Sequence, residues 1–186
     1  MKKILAFAGS TNPASINKQL VSYTLSMIEN PVITFIDLCD FPLPVYSAET
    51  EQNQGIPENA IKLLELFNSH DAFIISVAEH NGSVTAAFKN MLDWLSRASE
   101  NYQFFKNKPV LIFSTSPSPF GGQRAAMHAE QIINAVGGNV IGKQSVPNFY
   151  QVINKKDNNF EINDAAIIKG LDDHLKLLTD QVFSLS

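Results

Sequence analysis

Three short polar segments of this sequence have the composition of loops that surround an anion and a flat ring. They are GSTNPAS at residues 9–15, EHNGS at residues 79–83 and SPSPFGG at residues 116–122. Their residues are mostly small, hydroxyl-bearing or glycine, and they carry almost no charge. Backbone N–H groups in such loops can approach a ligand closely. The composition therefore favours ligand binding through the main chain.

The first of these loops leads into a predicted helix that begins at Ile16. Unpaired N–H groups and the helix dipole at such an end favour a phosphate group. Ser10, Ser15 and Asn17 could add side-chain donors. The alternative is that Ser15 is only the N-cap of the helix and that the rest of the loop is a turn. The presence of three similar loops favours phosphate binding.

The elements around these loops alternate between strand and helix. Apolar runs predict strands at residues 2–8, 32–38, 72–78, 108–115 and 139–146, the last near a sheet edge. Helical patterns follow from residue 16, from Pro57, and over residues 87–97, 123–136 and 164–183. This order predicts an α/β fold, a doubly wound five-stranded parallel sheet with helices on both faces, as one domain over residues 1–186. The three loops then meet at the carboxyl edge of the sheet, at its switch point.

The connections are predicted to be less regular than the elements. Residues 40–57 form a long, polar, proline-containing loop, which either shapes the entrance of a pocket or is simply a surface loop. Glu79-His80-Asn81-Gly82 ends in the Asn-Gly pair that marks a turn. A polar connection without assigned structure precedes the last helix.

Composition excludes several classes of protein. The chain has 186 residues, 45% of them hydrophobic, with a net charge of −4 and a pI near 5.5, so neither nucleic acid nor an anionic membrane is an expected partner. No run of 18 apolar residues predicts a membrane span. The single Cys39 excludes an internal disulfide and a cysteine-rich metal site, and no metal is predicted. A cytoplasmic location is expected.

Two other motif matches are incomplete and are rejected. Residues 137–143 match the start of a P-loop, but Gln144 replaces the required Ser or Thr and the segment follows a helix. His128-Ala129-Glu130 lacks the cysteine pair of a zinc deaminase. His70, His128 and His174 are predicted to be surface histidines.

Taken together, the motifs resemble the NADPH-dependent FMN reductase family over nearly the whole chain. The matching segments are Gly9-Ser10 with Ser15-Ile16-Asn17, Glu79-His80-Asn81-Gly82-Ser83, Phe88-Lys89-Asn90, Asp93-Trp94-Leu95-Ser96-Arg97, and Ser116 with Gly121-Gly122 and Arg124. The second segment is specific, whereas the first and third are weaker alone. The resemblance implies a flavodoxin-like fold, and the family includes flavin, azo-dye, quinone and chromate reductases.

The resemblance implies FMN as cofactor and NADPH or NADH as co-substrate. The first loop would hold the phosphate, the second would line the isoalloxazine largely through backbone groups, and residues 116–122 would border the ring and the nicotinamide approach. The implied cofactor-binding residues are Ser10, Asn12, Ser15, Ile16, Asn17, Ala78, Glu79, His80, Asn81, Gly82, Ser116 and Gly121.

Two departures from the family pattern affect this site. Asn12 stands where the family often has arginine, so the phosphate charge is less neutralised, and Lys18 could compensate. The family's Pro-Glu-Tyr-Asn is replaced by Ala78-Glu79-His80-Asn81, where the histidine could stack on the ring or donate a hydrogen bond. These changes affect affinity and substrate choice more than the fold.

The expected function is that of an FMN-dependent oxidoreductase. Hydride would pass from NAD(P)H to flavin and the electrons to a small acceptor: a quinone, an azo compound, a metal oxyanion or free flavin. No side chain need act as acid or base, so no catalytic residue is named. The alternatives are a flavodoxin-like electron carrier and a regulatory FMN-binding protein, both without efficient NAD(P)H oxidation.

The resemblance also implies a homodimer or homotetramer. The wide apolar helix face that includes Trp94 is compatible with an interface between subunits. Packing of Trp94 on the sheet of its own chain explains that face equally well.

Overall fold

A computed structural model describes residues 2–29, 32–156 and 159–183. Its strands are β1 (Lys3–Gly9), β2 (Val32–Ile36), β3 (Ala72–Val77), β4 (Glu79–His80), β5 (Ser83–Val84), β6 (Pro109–Thr115), β7 (Asn139–Val146), β8 (Ile153–Lys156) and β9 (Asn159–Ile162). Its α-helices are α1 (Ile16–Ser26), α2 (Ala48–Gln54), α3 (Glu58–Ser69), α4 (Ala86–Ala98), α5 (Gln123–Ala135), α6 (Phe149–Val152) and α7 (Ala165–Phe183).

Five strands pair in parallel in the order β2-β1-β3-β6-β7. The predicted doubly wound sheet is confirmed, with β7 at one edge as expected. Every residue of β3 is buried, because a central parallel strand is covered on both faces.

The side chains of each strand alternate between two cores. In β1, Leu5 and Phe7 point to the core beneath α3, α4 and α5, whereas Ile4 and Ala6 point to the core beneath α1 and α7. All four residues are fully buried. This period of two fixes the strand register, because a slip of one residue would exchange the two faces.

The long connection after β2 is more ordered than the sequence predicted. It contains a 3₁₀ turn at Leu38–Asp40 and helix α2, whose N-cap Ser47 accepts a hydrogen bond from the Thr50 N–H. The Pro44 carbonyl accepts hydrogen bonds from Asn90 Nδ2 (2.9 Å) and Trp94 Nε1 (2.7 Å) of α4. Trp94 is fully buried within its own chain, so the connection and α4 form one packed unit.

The polar connection before the last helix also has structure. It forms the one-turn helix α6 and the antiparallel pair β8–β9. Elements of four residues show no hydrophobic period, and the sequence pattern therefore did not reveal them.

The prediction that His70 lies at the surface is wrong. Its ring is buried, where Nδ1 lies 2.7 Å from the Leu66 carbonyl oxygen and Nε2 lies 2.7 Å from Thr34 Oγ1. The carbonyl can only accept, so Nδ1 carries a proton, and the ring joins the end of α3 to β2. No helix in the described part of the chain is long and apolar enough to cross a membrane.

Candidate functional site

A cavity of about 250 Å³ opens at the carboxyl edge of the sheet, where β1, β3 and β6 end. It brings together most of the residues that the sequence predicted for the cofactor site, namely Ser10, Asn12, Ser15, Ile16, Asn17, Ala78, Glu79, His80 and Ser116. The three loops converge as the parallel topology requires.

The other predicted residues lie beside the cavity without lining it. Asn81 and Gly82 form the turn between β4 and β5 with φ values of 53° and 79°, which Asn and Gly adopt most readily. Gly121 is packed beneath the third loop, where an added Cβ would lie 2.7 Å from the carbonyl carbon of Val146. Its carbonyl accepts a hydrogen bond from Ser114 Oγ. The position of Gly121 is therefore that of a packing residue.

The first loop leaves hydrogen-bond donors open at the start of α1. Ser15 is the N-cap residue, but in the described structure its hydroxyl makes no capping hydrogen bond. Among the hydrogen bonds of the described residues, none is donated by the backbone N–H of Ile16 or Asn17. Ser15 is only 5% exposed, and it lines the cavity. A hydroxyl and open N–H groups at a helix start are the kinds of donor that can bind an oxyanion.

The side chain of Asn17 has a different role from the one predicted. Its Oδ1 accepts hydrogen bonds from the Ser76 hydroxyl (2.8 Å) and the Thr115 N–H (3.0 Å), and its Nδ2 donates to the Thr115 carbonyl (3.2 Å). The residue is 2% exposed. The side-chain amide thus joins α1 to the ends of β3 and β6, and the backbone N–H is the group left for a ligand.

Thr85 joins the first loop to the start of α4. Its hydroxyl donates to the Gly9 carbonyl (2.8 Å) and accepts from the Phe88 N–H (3.1 Å), which caps α4. The end of β1 and the start of α4 are therefore held at a fixed separation.

The β4–β5 hairpin is held against α5 by two polar contacts. Glu79 Oε2 accepts a hydrogen bond from the Ala125 N–H (3.4 Å), near the amino end of α5. Ser83 Oγ lies 2.7 Å from Nδ1 of His128, which is exposed as predicted. The sequence predicted His128 only as a surface residue, and its spacing from Ser83 did not reveal this contact. These contacts fix the wall formed by Ala78, Glu79 and His80.

Lys18 does not line the cavity. Its ammonium group pairs with Asp37 at the end of β2, so its charge is already neutralised. Burial on its own would raise the pKa of Asp37, but hydrogen bonds from Lys18 and from the Cys39 N–H hold that pKa below its ordinary value. The expected compensation for the missing arginine is therefore not present in this arrangement.

The structure adds four lining residues to the named cofactor-binding set: Ala14 and Pro117, which belong to the predicted loops, and Thr115 and Tyr150, which do not. Tyr150 lies on α6 and its side chain is largely exposed at the cavity rim. The aromatic pair Phe149-Tyr150, just after the fifth predicted strand, was the available signal. Aromatic rims of this kind suit a flat ring.

The cavity fits a ligand with a phosphate group and a flat ring. Open N–H groups and hydroxyls at the start of α1 suit phosphate oxygens, while the backbone of β4, Pro117 and Tyr150 are the lining groups available to a ring. Within the described ranges, no three His, Cys, Asp or Glu side chains are grouped so as to hold a metal ion.

Solved structures of similar fold are flavoenzymes. The NAD(P)H:(acceptor) oxidoreductase FerB of Paracoccus denitrificans aligns with a TM-score of 0.77 and 21% identity, over 98% of this chain and 97% of FerB. An FMN-dependent NADH-azoreductase of Bacillus anthracis, solved with FMN, aligns with a TM-score of 0.65 and 14% identity, over 98% of this chain and all (100%) of that one. The fold is thus the flavodoxin-like fold that the sequence predicted.

Sequence relatives define the family. The model of the NADPH-dependent FMN reductase family matches residues 2–151. A quinone reductase of Escherichia coli K12 is 32% identical over 147 residues, covering 76% of this chain and 74% of the relative. An NAD(P)H-dependent FMN reductase of Pseudomonas aeruginosa is 30% identical over 132 residues, covering 70% and 69%.

This chain belongs to the NADPH-dependent FMN reductase family. The resemblance drawn from its motifs is confirmed, and so is the prediction of FMN as cofactor with NAD(P)H as co-substrate. The family places the chain among NAD(P)H-dependent flavin oxidoreductases.

Proposed function

We propose that this chain, as one flavin-binding domain in the cytoplasm, passes reducing equivalents from NAD(P)H through FMN to a small acceptor. Bound FMN would supply the redox chemistry, hydride acceptance followed by electron release. The acceptor would be a quinone, an azo compound, a metal oxyanion or free flavin. The observation that carries the proposal is the set of open donors at the start of α1, facing a cavity lined by the family's loops.

The first loop would bind the phosphate of FMN. The Ser15 hydroxyl and the N–H groups of Ile16 and Asn17 would donate hydrogen bonds to its oxygens, with Ser10 beside them. The Asn17 amide keeps these donors in place through its bonds to the ends of β3 and β6. The helix dipole adds to the attraction for negative charge.

The second and third loops would hold the ring. Ala78, Glu79 and His80 form one wall, and the contacts of Glu79 and Ser83 with α5 keep that wall from moving. Pro117 and Tyr150 also line the cavity and would shield the ring from water. Backbone N–H groups of this wall that face the ring would stabilise the negative charge that develops on the ring during reduction.

An absorption experiment tests this function. The purified protein is mixed with FMN, desalted, and treated with NADPH without oxygen. We expect flavin to remain with the protein and its visible absorption to bleach. Ser15→Ala should retain less flavin, whereas Ser47→Ala, which alters an N-cap that does not line the cavity, should retain as much as the wild type.

The alternatives predict different results in the same experiment. Retained flavin that stays oxidised with both NADPH and NADH would favour the electron carrier or the regulatory protein. If no flavin is retained and added free FMN does not stimulate NADPH oxidation, the proposed function is wrong. Stimulation by free FMN would instead identify flavin as a loosely held substrate.

Acceptor choice requires a separate comparison. The reduced, FMN-loaded protein is mixed in turn with a benzoquinone, an azo dye, chromate and free FMN, and the return of oxidised flavin is timed. The support for a small acceptor comes from the quinone reductase relative. If flavin is reoxidised no faster with a given acceptor than in buffer alone, that acceptor is removed from the proposal.

We also propose that the chain assembles as a homodimer or homotetramer. The support is the family resemblance and the exposed apolar side chains of Phe120, Met127 and Tyr150. Trp94 gives no support, because it is buried against Pro44 and Tyr46 of its own chain. Sedimentation velocity decides the matter, and a single species of 20.5 kDa would remove this proposal.

A further inference from the structure

The charge balance of the cavity distinguishes it from most phosphate sites. Arg and Lys usually bind phosphate groups through charge-assisted hydrogen bonds. Among the residues that line this cavity, all within the described structure, none is Lys or Arg, and Glu79 contributes a carboxyl group. The whole chain has a net charge of −4. Apart from the dipole of α1, the local and the long-range fields therefore offer a phosphate little Coulombic attraction.

Lys18 is the cation nearest in sequence to the phosphate loop, but it is already paired with a carboxylate. Its ammonium pairs with Asp37, and the two side chains are only 22% and 31% exposed. Asp37 is itself held by the Cys39 N–H at 3.0 Å. An anchored, partly buried carboxylate holds its cation more firmly than an exposed one does. Moving Lys18 to a ligand would leave Asp37 without its charge partner.

Position 12 contributes a neutral side chain whose acceptor is already used. Asn12 Oδ1 accepts a hydrogen bond from the Ala14 N–H (2.9 Å), and the Asn12 N–H donates to Ser10 Oγ (3.2 Å). These local bonds give the loop its shape. Asn12 therefore orders the loop without adding charge to it.

We propose that this site binds the phosphate of FMN through neutral donors alone, with Lys18 held back by Asp37. The inference rests on the proposed function and concerns how the same site selects its ligand. Hydrogen bonds from Ser15, Ile16 and Asn17 and the contacts of the ring then provide the affinity. Such binding differs from cation-based binding in one measurable respect, because salt screens charge attraction but scarcely affects short hydrogen bonds.

Flavin fluorescence quenching in the apo-protein measures this directly, without any turnover. FMN and riboflavin, which lacks the phosphate, are titrated from roughly 0.01 M to roughly 1 M NaCl, over which the Debye length falls from about 30 Å to about 3 Å. We expect the Kd of each flavin to change by less than about twofold. A loss of FMN affinity of about tenfold, with riboflavin unaffected, would overturn the inference.

Lys18→Gln and Asp37→Asn form a matched pair, because both break the same ion pair and only the first removes the cation. We expect Lys18→Gln to leave the FMN Kd within about twofold of wild type, and Asp37→Asn to weaken it no further. If Lys18→Gln weakens FMN binding while riboflavin binding and the Asp37→Asn variant do not change, Lys18 is a phosphate ligand and the inference is wrong.

Two further variants test the geometry. Asn12→Arg should tighten FMN binding by about fivefold at low salt, lose that gain at high salt, and leave riboflavin unchanged. An unaltered FMN Kd in Asn12→Arg would mean that the anion lies elsewhere, against the inference. His80→Gln is the matching control, because His80 contributes an imidazole to the cavity lining. If His80→Gln weakens FMN binding but not riboflavin binding, His80 is a charged phosphate ligand and the inference is wrong.

The failure of this inference can be distinguished from failure of the proposed function. If the wild-type protein binds neither flavin, the proposed function falls and the inference falls with it. If both flavins bind and only the salt or Lys18 results differ from expectation, the function stands and the neutral-donor inference is wrong. Circular dichroism of every variant confirms that the fold is retained.

Discussion

The amino ends of α1 and α4 occupy similar places in the fold but use their N-cap hydroxyls differently. Both helices start at the carboxyl edge of the sheet, and Ser15 and Thr85 have extended backbones with φ of −61° and −65°. The Thr85 hydroxyl is used twice, by the Gly9 carbonyl and the Phe88 N–H. The Ser15 hydroxyl makes no capping bond within the described residues.

This difference separates a structural helix end from one available to a ligand. The first N–H groups of any helix have no partner in the helix, and a capping side chain normally satisfies one of them. At α4 the protein supplies that partner itself. At α1 the partner is missing although a suitable hydroxyl is present, and the bound phosphate would supply it.

The largest expected effect comes from removing the amide that positions the α1 end. Asn17→Ala leaves the buried N–H and carbonyl of Thr115 and the Ser76 hydroxyl without their partner. We expect the free energy of unfolding to fall by about 3 kcal/mol, as for buried polar groups left unsatisfied. Urea denaturation of the apo-protein measures it. A loss below about 1 kcal/mol would mean that water replaces the amide readily.

Thr85→Val should have the next largest effect, on stability. It keeps the shape of the side chain but removes the cap of α4 and the bond to the Gly9 carbonyl. We expect a loss of about 2 kcal/mol in the free energy of unfolding, largely restored in Thr85→Ser. Equal stability of the Val and Ser variants would contradict the structural role given to this hydroxyl.

Ser15→Ala should change binding rather than stability. We expect about a tenfold weaker FMN Kd, equivalent to about 1.4 kcal/mol, and less than about 0.5 kcal/mol loss of apo-protein stability. Ser47→Ala is the matched control, because Ser47 does cap its helix. That variant should lose about 1 kcal/mol of stability and no flavin affinity. The contrast between the helix ends fails if the two serine variants behave alike.

The smallest effect is expected at the opposite edge of the sheet, far from the cavity. Burial alone would raise the pKa of Asp71, but hydrogen bonds from the Lys3 N–H and from Lys2 lower it. A lowered folded pKa stabilises the fold above the unfolded value of about 3.9, and this contribution disappears as pH falls through the folded pKa.

Asp71→Asn should therefore cost less than about 1 kcal/mol at neutral pH, since the pair is partly exposed. The difference from wild type should shrink in acid, and flavin affinity should not change. Urea denaturation at a series of pH values provides the measurement. A constant difference at all pH values would show that the carboxylate charge is not responsible.

The sequence predicted the elements whose patterns are long and regular. The buried run of β3 and the amphipathic face of α4 were both identified, because each repeats its period several times. Asn81-Gly82 was correctly predicted as a turn, since both residues tolerate positive φ. Helix α2 was missed because none of its residues is buried, so it has no apolar stripe to detect.

The residue types of the site could be predicted, but their hydrogen-bond partners could not. The sequence identified Ser15 both as an N-cap and as a phosphate donor. The side-chain rotamer decides between these two roles, and the residue type alone does not reveal the rotamer. The pairing of Lys18 with Asp37 joins different elements and leaves no pattern in the chain. The burial of His70 likewise depends on Thr34 of a neighbouring strand.

The bridge from Asn17 to Thr115 has a consequence for synthesis of the chain on the ribosome. The two residues are 98 positions apart, so the side chain of Asn17 cannot find its partner until most of the polypeptide has emerged. A nascent chain that ends before β6 can contain β1, α1 and β3, yet Asn17 then has only Ser76 as a partner and lacks both of its bonds to Thr115. Flavin capture should therefore be a late event in biogenesis, and prematurely terminated chains should leave the ribosome colourless.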